Sequence, residues 1–252
     1  MSSQPKKLPV ALTIAGSDSG GGAGIQADLK TFAALGVHGT SAITCITAQN
    51  PKQVLAIEAV RPRMVEQQLV AIFESFKPRA VKTGMLYSAE IIQVVAEFFQ
   101  GKRIPLIVDP VMIASSGARL LKTSAWRAYE TKLLPLATLI TPNLDEAEVL
   151  TGQKISSVND LWSAAKKIYS RFNCAALVKG GHRRGEEAVD VFFDGKKEII
   201  LRAKFVKGVS MHGSGCTYSA AITGYLALGN DLHSAIQSAK RFITRAFQAQ
   251  LE

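Results

Sequence analysis

The sequence predicts an α/β fold, a central, mainly parallel β-sheet with helices on both faces. Three observations predict it. Short apolar, β-rich runs alternate along the chain with segments of helical period. A polar or glycine-bearing cluster follows most of these runs, as where a site forms past the carboxyl ends of parallel strands. Finally, 47% hydrophobic and 20% charged residues over 252 positions supply a sizeable core and exclude global disorder. That length suits one α/β domain, and no linker, low-complexity stretch or internal repeat divides residues 1–252.

Val10 to Ala15, stopped by Gly16, reads as a buried strand. Gly24 to Leu35 reads as a helix with Ile25, Leu29, Phe32 and Ala33 on one face, ended by Gly36. Thr40 to Ala48 is β-like. Arg61 to Phe76 is helical, with Pro62 in its first turn and an apolar stripe through Val65, Leu69, Ile72 and Phe76. Ala80 to Lys82 is a strand end, and Ser88 can cap a helix over Ala89 to Phe99. Leu106 to Val108, Ala137 to Ile140 and Ala175 to Val178 are further strands, entering Asp109-Pro110, Thr141-Pro142-Asn143 and Lys179-Gly180-Gly181. Val189 to Phe193 and Glu198 to Leu201 read as a hairpin turned at Asp194-Gly195. Helices over Gly215 to Leu228 and Leu232 to Gln250 close the chain. Residues 1–9 are polar and basic and are expected to form a disordered tail.

Composition narrows the function. No apolar run reaches the roughly 18 residues of a membrane span, and the N-terminus makes a poor signal peptide, so a cytoplasmic protein is expected. Cys45, Cys174 and Cys216 form neither a disulfide framework nor a CxxC pair, and four scattered histidines give no zinc pattern. The net charge of +10 is spread thinly, without the interleaved aromatics of a nucleic-acid surface. It fits a bias toward anionic small molecules.

Two glycine-rich segments carry the chemistry. Gly16 to Gly24 follows a strand and opens a helix, with Gly20, Gly21, Gly22 and Gly24 close together. It is no P-loop, and from Gly20 and Gly22 the last position of GxGxxG falls on Ile25. Either it is a flexible turn, or its backbone closely approaches a ligand; four costly glycines favour the ligand. The second segment, Met211 to Thr217, stands directly before an apolar helix. Unpaired amides and the helix dipole make such a start an anion hole. Cys216 there is either a favoured thiolate or a structural cysteine beside a turn. Cys45 and Cys174 read as structural.

Together these segments resemble the hydroxymethylpyrimidine/phosphomethylpyrimidine kinases of thiamine biosynthesis, in the ribokinase-like superfamily. The resemblance rests on Ala11 to Lys30, Lys82 to Leu86, Asp109 to Met112, Ile140 to Glu148, Lys179 to His182 and His212 to Thr217, in that order. It implies a three-layer α/β/α sandwich, ATP with Mg²⁺ and optionally a monovalent cation, and a homodimer. The reaction it implies is phosphorylation of 4-amino-5-hydroxymethyl-2-methylpyrimidine and then of its monophosphate.

For residues, the resemblance implies that Gln49 reads the pyrimidine edge and that Ala23, Met85 and Val111 line the ring pocket. Asp18 and Asp28 join the substrate side, with Asp18 near the acceptor group. Asn143 and Glu146 form an NxxE pattern, with Glu146 and Asp109 toward the metal. Asn143, Lys179, Gly180, Gly181, His182, Asp190 and Gly215 serve the nucleotide. Gly213, Ser214, Gly215 and Cys216 form the catalytic anion hole, Cys216 standing where sugar kinases carry an Asp general base. Pro51 to Val54 departs from the family pattern beside Gln49, and its Gly-rich C-terminal tail is not found before Glu252. Pyridoxal/pyridoxine kinase of vitamin B6 salvage and a non-catalytic phosphopyrimidine-binding module remain as alternatives.

Overall fold

Apolar β-branched residues make β1 (Val10–Asp18) a buried strand, and His38–Asn50 (β2) pairs parallel to it through the crossover helix α1 (Gly24–Ala34). The computed structural model describes residues 7–113, 117, 119–181, 187–206, 208 and 212–249. Of the tail expected over 1–9, residues 1–6 lie outside the described residues, while Pro9 already accepts the amide of His38.

The remaining elements follow in order: β3 (Gln53–Ala59), α2 (Pro62–Ser75), β4 (Ala80–Thr83), α3 (Ala89–Phe99) and β5 (Leu106–Val108). A run of short turns containing α4 (Trp126–Ala128) leads to β6 (Leu139–Ile140), α5 (Leu144–Thr151), α6 (Val158–Phe172) and β7 (Ala175–Lys179). The hairpin β8 (Glu187–Phe193) and β9 (Glu198–Lys204) precedes α7 (Ser214–Ala227) and α8 (Leu232–Gln248).

The nine strands form one sheet in the order β3-β2-β1-β4-β5-β6-β7-β8-β9. From β2 to β7 all neighbours are parallel; β3, β8 and β9 are antiparallel. One face packs Leu12, Ile14, Val81 and Val108 against α2, α3, α5 and α6. The other packs Ala11, Ile107, Leu139 and Leu177 against α1, α7 and α8. The three-layer α/β/α sandwich is thus the observed fold. No helix among the described residues is long and apolar enough to cross a membrane.

β3 and α6 escaped the sequence reading, as did the short α4. β3 is an edge strand exposed on most positions, so no alternation marks it. A turn in which Asn50 Oδ1 accepts the amides of Lys52 and Gln53 sets it up. α6 went unnamed although Ser157 and Asp160 form a capping box at its start. β1 also runs past Gly16 to Asp18, through a register shift between Ala15 and Ser17.

Phe32 is fully buried on α1, among Val37, Ala220 and Ala227. Phe32→Ala is expected to cost about 3–5 kcal/mol of unfolding free energy in urea titrations, from lost transfer energy plus a cavity.

Candidate active site

The chain leaves β1 for β2 on one side, while β4 takes the place on the other. This makes the β1/β4 boundary the switch point at which crossovers diverge and a crevice opens. The carboxyl ends of the parallel strands meet there in a cleft of about 1230 Å³, mouth included. Ala23 after β1 and Gln49 on β2 line one end, together with Val111 and Leu120, which pack with Cys45 of β2. Ala188, Ala203, Ile243 and Phe247 line its β8–β9 and α8 end. Asp109, Lys179, Glu146 and the head of α7 lie between.

Asp18 organises the first glycine loop. Its Oδ1 accepts the amide of Gly20 at 2.8 Å, and its Oδ2 accepts those of Gly22 and Ala23 at 3.1 and 2.8 Å. The His212 Nε2 donates to the same Oδ2 at 3.1 Å. Burial would raise the Asp18 pKa, but the His212 bond and the loop amides hold it below the usual carboxylate value. Asp18 is 3% exposed and does not line the cleft. Its oxygens shape the loop and tie it to His212, and both Ala23 and His212 line the cleft.

The second loop meets the first. Gly213, at φ 75°, N-caps α7, and any Cβ there would collide with the Gly22 carbonyl. Among the described residues no side chain caps α7, which leaves its first amides available at the cleft wall, where Gly213, Ser214, Gly215 and Cys216 all appear. Burial pushes the Cys216 thiol up to about 11 although the Lys82 ammonium pulls it down. The favoured thiolate is therefore corrected: desolvation outweighs the nearby positive charge. Cys45 and Cys174 are buried and shifted up to about 11 and about 12, as structural cysteines should be.

Asp109 anchors the middle. Its Oδ1 accepts from Lys179 Nζ at 2.9 Å and Thr141 Oγ1 at 3.1 Å, and its Oδ2 from Ser219 Oγ at 3.0 Å. Burial opposes its ionisation, but Lys179 and Lys82 hold its pKa low. A Cβ on Gly215 would lie 3.2 Å from the Lys179 Nζ, so this ammonium sits against the head of α7.

Asn143 and Glu146 form a capping box for α5, each side chain accepting the other's amide at 2.9 Å. Burial raises Glu146 to about 8, against the pull of Lys179. No cluster of three His, Cys, Asp or Glu stands ready for a metal among the described residues. Two carboxylates on the cleft wall suit Mg²⁺, which keeps several waters and leans on ligand phosphates.

On the α8 side, Asp190 Oδ1 accepts the Gly180 amide and its Oδ2 accepts Lys240 Nζ at 2.7 Å. Gly181 and Asp190 line the cleft. His182 lies outside the described residues.

Ala23, Gln49, Val111, Asp109, Asn143, Glu146, Lys179, Gly181, Asp190 and Gly213 to Cys216 thus converge on one cleft. Gly180 stands beside it through its bond to Asp190. Asp28 is fully buried, held by Thr13 and Lys82, and does not line the cleft. Met85 does not line the cleft but packs with Cys45, Leu120 and Val111. Sequence reading assigned no role to His212 or Lys82, which open two of its motifs, and missed Lys240. Lys240 had a signal: it falls on the apolar stripe of α8 beside Ala235, Ile236, Ala239 and Ile243.

The arrangement can hold a flat ring at one end, an anion at the α7 head and a larger apolar group at the other end. The family described as phosphomethylpyrimidine kinase matches residues 18–252. A hydroxymethylpyrimidine/phosphomethylpyrimidine kinase of Synechococcus elongatus is 47% identical over 97% of this chain and 93% of its own length. A phosphomethylpyrimidine kinase structure from Clostridium difficile is 46% identical with a TM-score of 0.83, covering 95% of this chain and 99% of its own. An ADP complex of Bacillus subtilis pyridoxal kinase is 40% identical with a TM-score of 0.87, covering 94% and 91%.

Asp18→Asn should lower the unfolding free energy by roughly 1–3 kcal/mol at neutral pH by weakening the loop's hydrogen bonds. A depressed folded-state pKa stabilises the fold above the free carboxylate value of about 4. That gain vanishes as pH falls through the lower folded value. The gap between native and variant proteins in denaturant titrations should accordingly close in acid.

Proposed function

Because the chain belongs to the phosphomethylpyrimidine kinase family, we propose that it transfers the γ-phosphoryl group of ATP to hydroxymethylpyrimidine and then to the resulting monophosphate. This is a step of thiamine biosynthesis, as in the bifunctional relative of Geobacter sulfurreducens. The observation that carries the reading is the uncapped head of α7, opening between a ring-sized end and an apolar end of one cleft.

Gln49 offers a carboxamide to the pyrimidine edge; its Oε1 is only 3.3 Å from Thr47 Oγ1, and its Nε2 has no partner among the described residues. Ala23 and Val111 flank the ring. The nucleotide base occupies the end formed by Ile243, Phe247 and Ala203, with Asp190 and Lys240 as its polar support. Lys179 and the amides of Gly213 to Cys216 meet the γ-phosphoryl group, where charge is best stabilised in transfer. Mg²⁺, when bound, neutralises phosphate charge; Glu146 and Asp109 would hold its hydration shell. Cys216 takes the proton of the hydroxymethyl group.

A homodimer through the β2–β3 edge is part of this reading; Ile46 and Leu55, 58% and 69% exposed there, support it. A second acceptor reading, pyridoxal, is favoured by the likeness to the Bacillus subtilis kinase.

Side-by-side kcat/KM values with hydroxymethylpyrimidine and pyridoxal test the acceptor. The pyrimidine should lead by at least about tenfold, and the reverse order would reassign the site. Cys216→Ala should cut the first phosphorylation by about 10²–10⁴, the usual worth of a general base. The second should lose far less, since its acceptor is already anionic. In the native enzyme the first rate should climb as pH rises toward the thiol's value of about 11. Equal losses in both steps would refute the base role.

A further inference from the structure

The reaction proposed above asks Gln49 to read the ring edge, yet its side chain is held only weakly. Thr47 Oγ1 has one proton and spends it on the Ser17 carbonyl at 2.9 Å, with Gln49 Oε1 farther off at 3.3 Å. The direction of the carboxamide therefore depends on the main chain beneath it. The sheet gives that main chain little support. β1 and β2 pair as far as Asp18 and Thr47, and beyond them β1 gives way to the first glycine loop. On the other side the β2–β3 register shifts between Ala48 and Gln49, as at a bulge that re-aims a side chain.

Ser19 takes the place of the missing strand. Its Oγ donates to the Gln49 carbonyl at 2.9 Å and accepts the Gln49 amide at 2.9 Å. One hydroxyl, with a single proton and spare lone pairs, thus satisfies both main-chain groups of one residue. The loop lies close along this stretch: a Cβ on Gly20 would be 3.2 Å from the Gln49 carbonyl oxygen and 3.4 Å from the Asn50 Cα. Just beyond Gln49, Asn50 Oδ1 holds the turn by accepting the amides of Lys52 and Gln53. Gln49 lines the cleft, whereas Ser19 is exposed and does not.

We propose that Ser19 is a positioning residue for Gln49, a hydroxyl clamp that sets the direction from which the carboxamide meets the ring. It also links this reader to the loop that Asp18 shapes and that rests against the head of α7 through Gly22. The inference rests on the role given to Gln49 above. It assigns Ser19 no contact with the acceptor and no part in moving the phosphoryl group.

The test is a double-mutant cycle in the full-length protein. Its readouts are the Kd of hydroxymethylpyrimidine by titration calorimetry and the steady-state kcat and KM. Ser19→Ala should weaken the acceptor Kd and raise its KM about three- to tenfold, while kcat and the KM for ATP hold. Gln49→Ala should weaken acceptor binding about tenfold. In the double variant the Ser19 change should add less than about twofold, because the group it positions is gone. Ser19→Thr keeps a hydroxyl and should recover most of the loss. Losses that multiply in the double variant would mean that Ser19 acts apart from Gln49, and they overturn the proposal. So does an unchanged acceptor Kd in Ser19→Ala, an equal rise in KM for ATP, or no recovery in Ser19→Thr. If Gln49→Ala leaves the acceptor Kd unchanged, the reader role fails and the clamp falls with it. If Gln49→Ala weakens binding and Ser19→Ala does not, the reader stands and the clamp alone fails. Should Ser19→Ala fail to fold by circular dichroism, Ser19→Cys, whose thiol is a weak donor, decides through the same cycle.

Discussion

The backbone of Gly213 rests against the carbonyl of Gly22, with no space for a side chain between them. This contact unites two segments nearly two hundred residues apart into one wall. The helix head that would receive an anion is on one side of it, and the loop flanking a ring is on the other. The Asp18 carboxylate reinforces it by gathering the loop's amides and the His212 ring at one point. Without that closeness the β1 end and the α7 end would be separate clefts.

Beneath the wall the molecule spends charge in pairs. Lys82 with Asp28, Lys179 with Asp109 and Lys240 with Asp190 are each sheltered from water and each joins different elements. Such pairs add little to stability, since desolvation cancels most of the attraction. Two of them hold an ammonium on the cleft wall, Lys179 and Lys240, while Lys82 stays buried away from it. The net charge of +10 resides elsewhere, on the surface, and is open to screening by salt.

The layered fold was legible because burial leaves a period. Leu12, Ile14, Val81 and Val108 sit in runs that only strands would bury, and Phe32 or Leu69 mark helix faces. β3 was invisible because an exposed edge strand leaves no such period. Of the site, the residues at strand ends and helix heads were legible, since those places offer unpaired amides to any ligand. The surroundings of Asp18 and Asp28 were not legible, for a different reason. Their chemistry is that of acids, but their partners, His212 and Lys82, lie 194 and 54 residues away, and no local pattern records a partner at such a distance. Lys82 itself stands in a four-residue strand buried at every position, where its charge must be compensated.

The mutual contact of Gly22 and Gly213 also bears on how such an enzyme can be altered. Neither loop is an independent module: a segment grafted in place of one must reproduce the bare backbone of the other's neighbour. A larger residue at Gly213 would meet the Gly22 carbonyl, a main chain that cannot shrink, whereas one at Gly22 would press on the His212 ring. A change at Gly22 is therefore answered by a side chain, and one at Gly213 only by moving the first loop itself.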